Sequence, residues 1–301
     1  MTRRTALGIL AAATQVRAAG RPIRLGGPIY LKSDDPRELA REHRRLGYAA
    51  AYVPNVNVKD TARVKAIEEA FKAENVVIAE VGAWKNMLDP DPAARKANMD
   101  YVTERLALAD AVGARCCVDI AGSFNPKVWY GPHKENLSQR FFDATVENCR
   151  KVIDAIKPTR TKFTVEMMGW NLPDTADSYL KLLKAIDRPA FAVHVDICNI
   201  INSPERFYNN AAVIEEVFRK LGKWTMSCHA KDLEFIPEMN VHFVEVIPGR
   251  GEIDYKAYLR NLQRYAPDAP LMLEHLKNAE QYDEGREYIR KQAAEAGVAF
   301  V

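Results

Sequence analysis

The sequence predicts an α/β protein, a (β/α)8 barrel of the TIM type, and three observations carry that prediction. Apolar, β-branched runs alternate with charged stretches of helical period along residues 21–301, as a parallel sheet wrapped by helices requires. Eight such pairs can be counted. Four runs in the second half each end in a residue able to bind a metal ion: Phe163-Thr-Val-Glu166, Phe191-Ala-Val-His194-Val-Asp196, Thr225-Met-Ser-Cys-His229 and Leu271-Met-Leu-Glu274. Their last residues are spaced by 30, 33 and 45 positions, about one strand, one helix and two loops. In a closed barrel these four side chains would meet at the carboxyl ends of the strands, where active sites of this architecture sit.

Taken in order, residues 23–29 are the expected first strand and 35–46 the first helix, with Gly47 placed to cap it in a left-handed conformation. Residues 49–53 and 60–73 form the second pair, and 76–81 the third strand. A long helix over 92–112 carries Leu106, Ala109 and Val112 at helical spacing and stops at Gly113. Strand four covers 116–120. The segment 121–137, rich in Gly, Ser, Asn, Pro and aromatic residues, is long enough to be a lid or substrate loop. Helices are expected at 141–156, 175–186, 203–221, 254–265 and 280–296, with Ser203 as an N-cap, Pro204 in a first turn and Gly297 closing the last helix. No low-complexity linker divides residues 21–301, which favours one domain.

Residues 1–20 have a different character. Arg3-Arg4 precede a short acid-free apolar stretch, and Val16-Arg-Ala18 places small residues where a signal peptidase inspects them, the pattern of a twin-arginine export signal. It implies a periplasmic or extracellular protein whose mature chain starts near Ala19; the alternative is an amphipathic N-terminal helix on a cytoplasmic protein. Removing Arg3, Arg4 and Arg17 would take the formal charge of +3 to about 0. A neutral body gives no electrostatic case for nucleic acid or for an anionic membrane. No stretch reaches the roughly 20 apolar residues of a membrane span. Five cysteines, an odd number without metal-finger spacing, argue against a disulfide framework. The sequence leaves the oligomeric state open, and a homo-oligomer is compatible with it.

A carboxylate ending an apolar strand needs a partner, because burying a bare charge costs several kcal/mol. Each of the four strand ends taken alone would more simply be solvated or salt-bridged. In phase with the barrel repeat, Glu166, Asp196, His229 and Glu274 would satisfy one another through a shared cation. Three oxygen donors and one nitrogen favour Mn2+, with Mg2+ or Co2+ as alternatives, over a cysteine-rich zinc site. Such an ion keeps positions open for adjacent oxygens of a small carbohydrate substrate.

Beyond these residues the chain resembles the sugar isomerase/epimerase superfamily with a xylose-isomerase-like barrel, from about Arg24 to the C-terminus. The resemblance rests on Thr164-Val-Glu166, His194-Val-Asp196, His229-Ala-Lys-Asp232, Pro248-Gly-Arg-Gly-Glu-Ile-Asp254 and Glu274-His275. It implies that Glu166, Asp196, His229 and Glu274 bind a divalent metal, and that Glu166 and Glu274 also act as base and acid on opposite faces of the sugar. The implied reaction is proton abstraction next to a carbonyl through a metal-stabilised enediolate, ending in epimerisation or isomerisation. One position departs. The ketose 3-epimerase branch carries a histidine three residues after the aspartate, where this chain has Asn199, which broadens the expected substrate to a sugar or keto-sugar.

His194, Lys231, Asn199, Trp84, Trp129 and Trp170 are the expected substrate contacts; the indoles follow strands and could stack on sugar C–H faces, or pack under loops. His275 should point away from Glu274 on a regular strand. The Pro248-Gly-Arg-Gly251 turn reads as a tight lead into the helix capped by Asp254. Rival readings keep the metal but end in β-elimination on a keto-inositol or 3-keto-glycoside, bind carbohydrate without turnover, or cleave nucleic acid. The last fits poorly, since nuclease barrels draw on more histidines.

Overall fold

The computed structural model describes residues 20–301, so the expected export signal, apart from Gly20, lies outside the described residues. Eight parallel strands close into a barrel: β1 (Leu25–Gly26), β2 (Ala50–Tyr52), β3 (Val77–Gly82), β4 (Cys116–Asp119), β5 (Lys162–Glu166), β6 (Phe191–Asp196), β7 (Thr225–Ala230) and β10 (Leu271–Leu273), with β10 returning to pair with β1. The helices α1 (Pro36–Arg45), α2 (Thr61–Ala73), α3 (Pro92–Val112), α4 (Gln139–Ile156) and α5 (Ala176–Ile186) follow the first five strands. After β6 come α6 (Ile197–Ile200), α7 (Pro204–Tyr208) and α8 (Asn210–Leu221), and the chain ends with α9 (Tyr255–Tyr265) and α10 (Ala279–Ala296). Among the described residues no helix is long and apolar enough to cross a membrane.

Local chemistry explains the ends of these elements. Asp35, Asp60, Asp91, Ser138, Thr175, Ser203, Asp254 and Asn278 each accept a hydrogen bond from a backbone N–H in the first turn of the helix they precede. Gly113 and Gly297 end their helices in the left-handed region. The core lies between the strands and the helical ring, where outward strand residues such as Val81, Val165 and Val195 meet inward helix residues such as Leu106, Val152 and Ile214.

Three expectations need correction. The first strand is reduced from 23–29 to Leu25–Gly26, with Ile23 bridging to Phe300. The single helix expected over 203–221 is two, because Asn209 leaves helical geometry (φ −113°, ψ 29°) and the Asn210 side chain donates to the carbonyls of Phe207 and Glu252. An antiparallel hairpin, β8 (Asp232–Phe235) with β9 (Phe243–Val246), stands outside the eight-unit count and carries Glu245 towards the barrel mouth.

Candidate metal and catalytic centre

Strand parity builds the centre. Side chains alternate across a strand, so Glu166 on β5, His194 and Asp196 on β6, and Ser227 and His229 on β7 share the barrel interior. The register sets Glu166 beside His194 and Asp196 beside His229. Glu274 follows directly on the last residue of β10. One ligand atom from each of Glu166, Asp196, His229 and Glu274 lies within 4.8 Å of the others. His229 Nδ1 is at the centre, 2.8 Å from Glu274 Oε1, 2.9 Å from Glu166 Oε1 and 3.4 Å from Asp196 Oδ2.

The cluster concentrates negative charge, and the protein answers with two cations. Burial opposes protonation of His229, but Glu274, Glu80 and Glu166 hold its imidazole well above the usual range. Lys231 is likewise held high by Asp196 and Glu274 against its burial; its Nζ lies 2.8 Å from Asp196 Oδ2 and 2.8 Å from Glu274 Oε1. Burial pushes the Glu166 carboxyl up, only partly offset by His229. For Glu274 and Asp196 the same burial cost is overcome: His229 and Lys231 hold Glu274 low, and Lys231 and His229 hold Asp196 well below its ordinary value.

The donor set fits a divalent cation. Asp196 Oδ2 and Glu274 Oε1 are buried and, among the described residues, have no hydrogen-bond partner. The Lys231 ammonium lies 2.8 Å from each and supplies part of the positive charge that these oxygens require. Asp196 Oδ1 is spent on the N–H of Asn199 as the cap of α6, which aims Oδ2 inward. Three carboxylates and one imidazole nitrogen suit an oxygen-preferring or borderline ion.

The expected substrate contacts divide into two groups. Asn199 and Lys231 are in the cluster: Asn199 Nδ2 donates to Glu166 Oε1 at 3.2 Å, and Lys231 Nζ donates to Asn199 Oδ1 at 3.3 Å. Trp84 stands over the cluster with its ring 6.3 Å from that of His229, and Gly82 makes room, since a Cβ there would overlap the indole. Trp129 packs edge-on against Tyr130, and Trp170 is 62% exposed on the neighbouring loop, so both belong to the rim. His194 is the correction. It has no exposed surface, and its Nε2 is 3.0 Å from Glu80 Oε1 beneath the cluster, out of reach of substrate. His275 also differs: β10 ends before it and its φ is +59°, so it swings back to place Nδ1 2.8 Å from Glu245 Oε2.

Two acidic residues of the site went unnoticed in the sequence. Glu245 arrives on the hairpin, 3.3 Å from Lys231 Nζ. Glu80 interrupts the apolar run of β3, the same signal that singled out Glu166, but it sits in the first half of the chain. Outer tyrosines brace the strand that carries the histidine: on α9, Tyr258 donates to the carbonyl of His229 and Tyr255 to that of Lys231. Asp232 is not a ligand; it gathers the N–H groups of Leu233, Gly249, Gly251 and Ile253, which fixes the turn into α9.

Comparison with known proteins places this architecture. Residues 40–292 match the sequence profile of the family described as xylose isomerase-like TIM barrel. The chain is 26% identical over 147 residues to a probable L-ribulose-5-phosphate 3-epimerase of Mycoplasma pneumoniae, a segment covering 49% of this chain and 43% of that protein. Similar solved structures include endonuclease IV from Thermus thermophilus (TM-score 0.68, 14% identity, 91% of this chain and 100% of the other). Another is 3-keto-D-glucoside 4-epimerase from E. coli (TM-score 0.61, 14% identity, 89% and 99%). At such identities the likeness concerns the fold, and one fold serves both chemistries. With the profile spanning nearly the whole barrel, the chain belongs to the xylose isomerase-like TIM barrel family.

Proposed function

We propose that the chain is a divalent-metal-dependent isomerase or epimerase acting on a sugar or keto-sugar, with Mn2+ as the favoured ion and Mg2+ or Co2+ as substitutes. The observation that carries this reading is the convergence of Glu166, Asp196, His229 and Glu274 within 4.8 Å at the barrel mouth. A bound cation would supply Lewis acidity to the carbonyl and neighbouring hydroxyl oxygens of the substrate, which makes the adjacent C–H more acidic.

The protein's own groups do the rest. Glu166 and Glu274 form an acid–base pair: the one that enters as carboxylate takes the proton from the carbon next to the carbonyl, and the one that enters as carboxylic acid returns a proton to the other face. Asn199 holds the Glu166 carboxylate by its Oε1. Lys231, buried and within reach of three carboxylates, offers an ammonium to a substrate oxygen as charge shifts onto it. Trp84 presents an apolar face above the cluster, suited to the C–H surface of a sugar. A set with one histidine and three carboxylates supports sugar chemistry better than phosphodiester cleavage.

The test is solvent-deuterium exchange over ketoses, keto-inositols and 3-keto-glycosides with added Mn2+. Deuterium should enter the carbon next to the carbonyl, and Glu166→Gln should slow this by about 10²–10⁴-fold while the protein stays folded. An unchanged product mass apart from deuterium marks epimerisation or isomerisation, and loss of water marks the dehydratase alternative. Sugar binding without any exchange would overturn the catalytic reading in favour of a binding barrel.

A further inference from the structure

Beneath the four strand-end residues lies a second group of buried polar side chains. Glu80 on β3 reaches across the barrel interior, with 1% exposure, and three donors from two other strands converge on it. His194 Nε2 is 3.0 Å from its Oε1, Ser227 Oγ donates to the same oxygen, and His229 Nε2 is 3.2 Å from Oε2. The rings of His194 and His229 meet edge-to-face with centroids 4.2 Å apart. Ligand atoms of Glu80, His194 and His229 also lie within 4.8 Å of one another. With the Ser227 hydroxyl donating to Oε1 as well, each group that approaches Glu80 is able to donate a hydrogen, and His229 already faces the strand-end cluster through Nδ1, so these residues are read as a hydrogen-bonded hub.

The hub has a consequence for His229. A carboxylate is an acceptor only, so the nitrogen facing Glu80 must carry the hydrogen. With an ion bound, His229 would be neutral, and the hydrogen kept on Nε2 by Glu80 would leave the Nδ1 lone pair facing the side of Glu166, Asp196 and Glu274. Without Glu80, the carboxylates around Nδ1 would favour the opposite tautomer, with a hydrogen pointing into the place a cation needs. A carboxylate behind a ligating imidazole also fixes the ring plane and makes the nitrogen a stronger donor. Ser227 and His194 in turn hold Glu80 in register, and Tyr258 holds the His229 backbone from outside.

We propose that Glu80 is a positioning residue that sets the tautomer and orientation of His229 for a divalent cation, with His194 and Ser227 as the supports of that carboxylate. The inference rests on the metal-centre reading above and concerns binding of the ion, independent of which sugar is turned over.

Two measurements test it on the full chain. In wild-type protein loaded with diamagnetic Mg2+, long-range ¹H–¹⁵N spectra of the histidine side chains should show His229 with hydrogen on Nε2, slow to exchange with solvent. Hydrogen on Nδ1 instead would overturn the proposal without any variant being made. Calorimetric titration with Mn2+ should then show Glu80→Gln binding about 10–100-fold more weakly than wild type, at a melting temperature showing the variant folded. A folded Glu80→Gln with wild-type affinity would sink the positioning role while leaving the metal centre standing. Failure of the wild-type protein to bind Mn2+ or Mg2+ would instead remove the metal reading, and the role of Glu80 with it.

Discussion

Asp119 shows at the scale of one residue how burial and function separate. It ends β4 fully buried, and its register partner is the outward Val165, so it faces the helical ring and not the barrel mouth. Its Oδ1 accepts from the N–H groups of Lys85 and Ile120, while Oδ2 has no hydrogen-bond partner among the described residues. Burial raises its pKa from 3.8 to about 8, against the pull of those two backbone donors. The folded state therefore keeps a proton that the unfolded chain gives up from about pH 4, so this residue erodes stability as pH rises to about 8 and adds no further loss above it. Asp119→Asn keeps the Oδ1 acceptor and cannot ionise. Its stability relative to the parent should improve through that window by up to about 1.4 kcal/mol per pH unit, as read by urea unfolding at pH 5, 6.5 and 8. Parallel curves for the two proteins would show that Asp119 does not titrate there. Glu166 and Glu274, by contrast, are buried beside His229 and Lys231, and their charge has cationic company.

Among the elements, the break between α7 and α8 is the most instructive difference from the sequence reading. Apolar residues keep their helical spacing across it, with Phe207, Ile214, Val217 and Phe218 all buried, so periodicity alone runs the two helices together. What separates them is a set of side-chain bonds to distant backbone. Asn210 donates to the carbonyl of Glu252, 42 residues away, and accepts from the N–H of Asp254, 44 residues away. Those bonds anchor the start of α8 to the turn that leads into α9. Asn210→Ala should cost about 1–3 kcal/mol in urea unfolding, the penalty of stranding buried backbone groups. A loss below about 0.5 kcal/mol would place the cause of the break elsewhere. The β8–β9 hairpin escaped notice for a related reason: its strands are short and partly exposed, and among the described residues they pair only with each other. The long helix over Pro92–Val112, with its Asp91 cap and Gly113 stop, was legible because every signal for it is local.

For the whole molecule, closure of the barrel sums these local choices into one concentrated electrostatic problem. Four buried or nearly buried carboxylates, Glu80, Glu166, Asp196 and Glu274, face one lysine and two imidazoles. A divalent cation that binds only the folded barrel should raise its stability by mass action, about 2.7 kcal/mol at a hundredfold excess over Kd. For a chain of this size that corresponds to a rise in Tm of roughly 4–5 °C with Mn2+, reversed by a chelator. An unchanged melting curve at millimolar Mn2+ would count against the ion. The sequence by itself determined the order of the eight barrel strands, the alternation of helices between them, and the four residues that end strands in phase with the repeat. Those features follow from the periods of 2 and 3.6 residues and from caps acting over a few positions. Only the tertiary structure brought Glu80 under His229, 149 residues apart, and Lys231 between Asp196 and Glu274. Strand period fixes which face a side chain occupies. How far it reaches across the interior depends on the register and closure of all eight strands together.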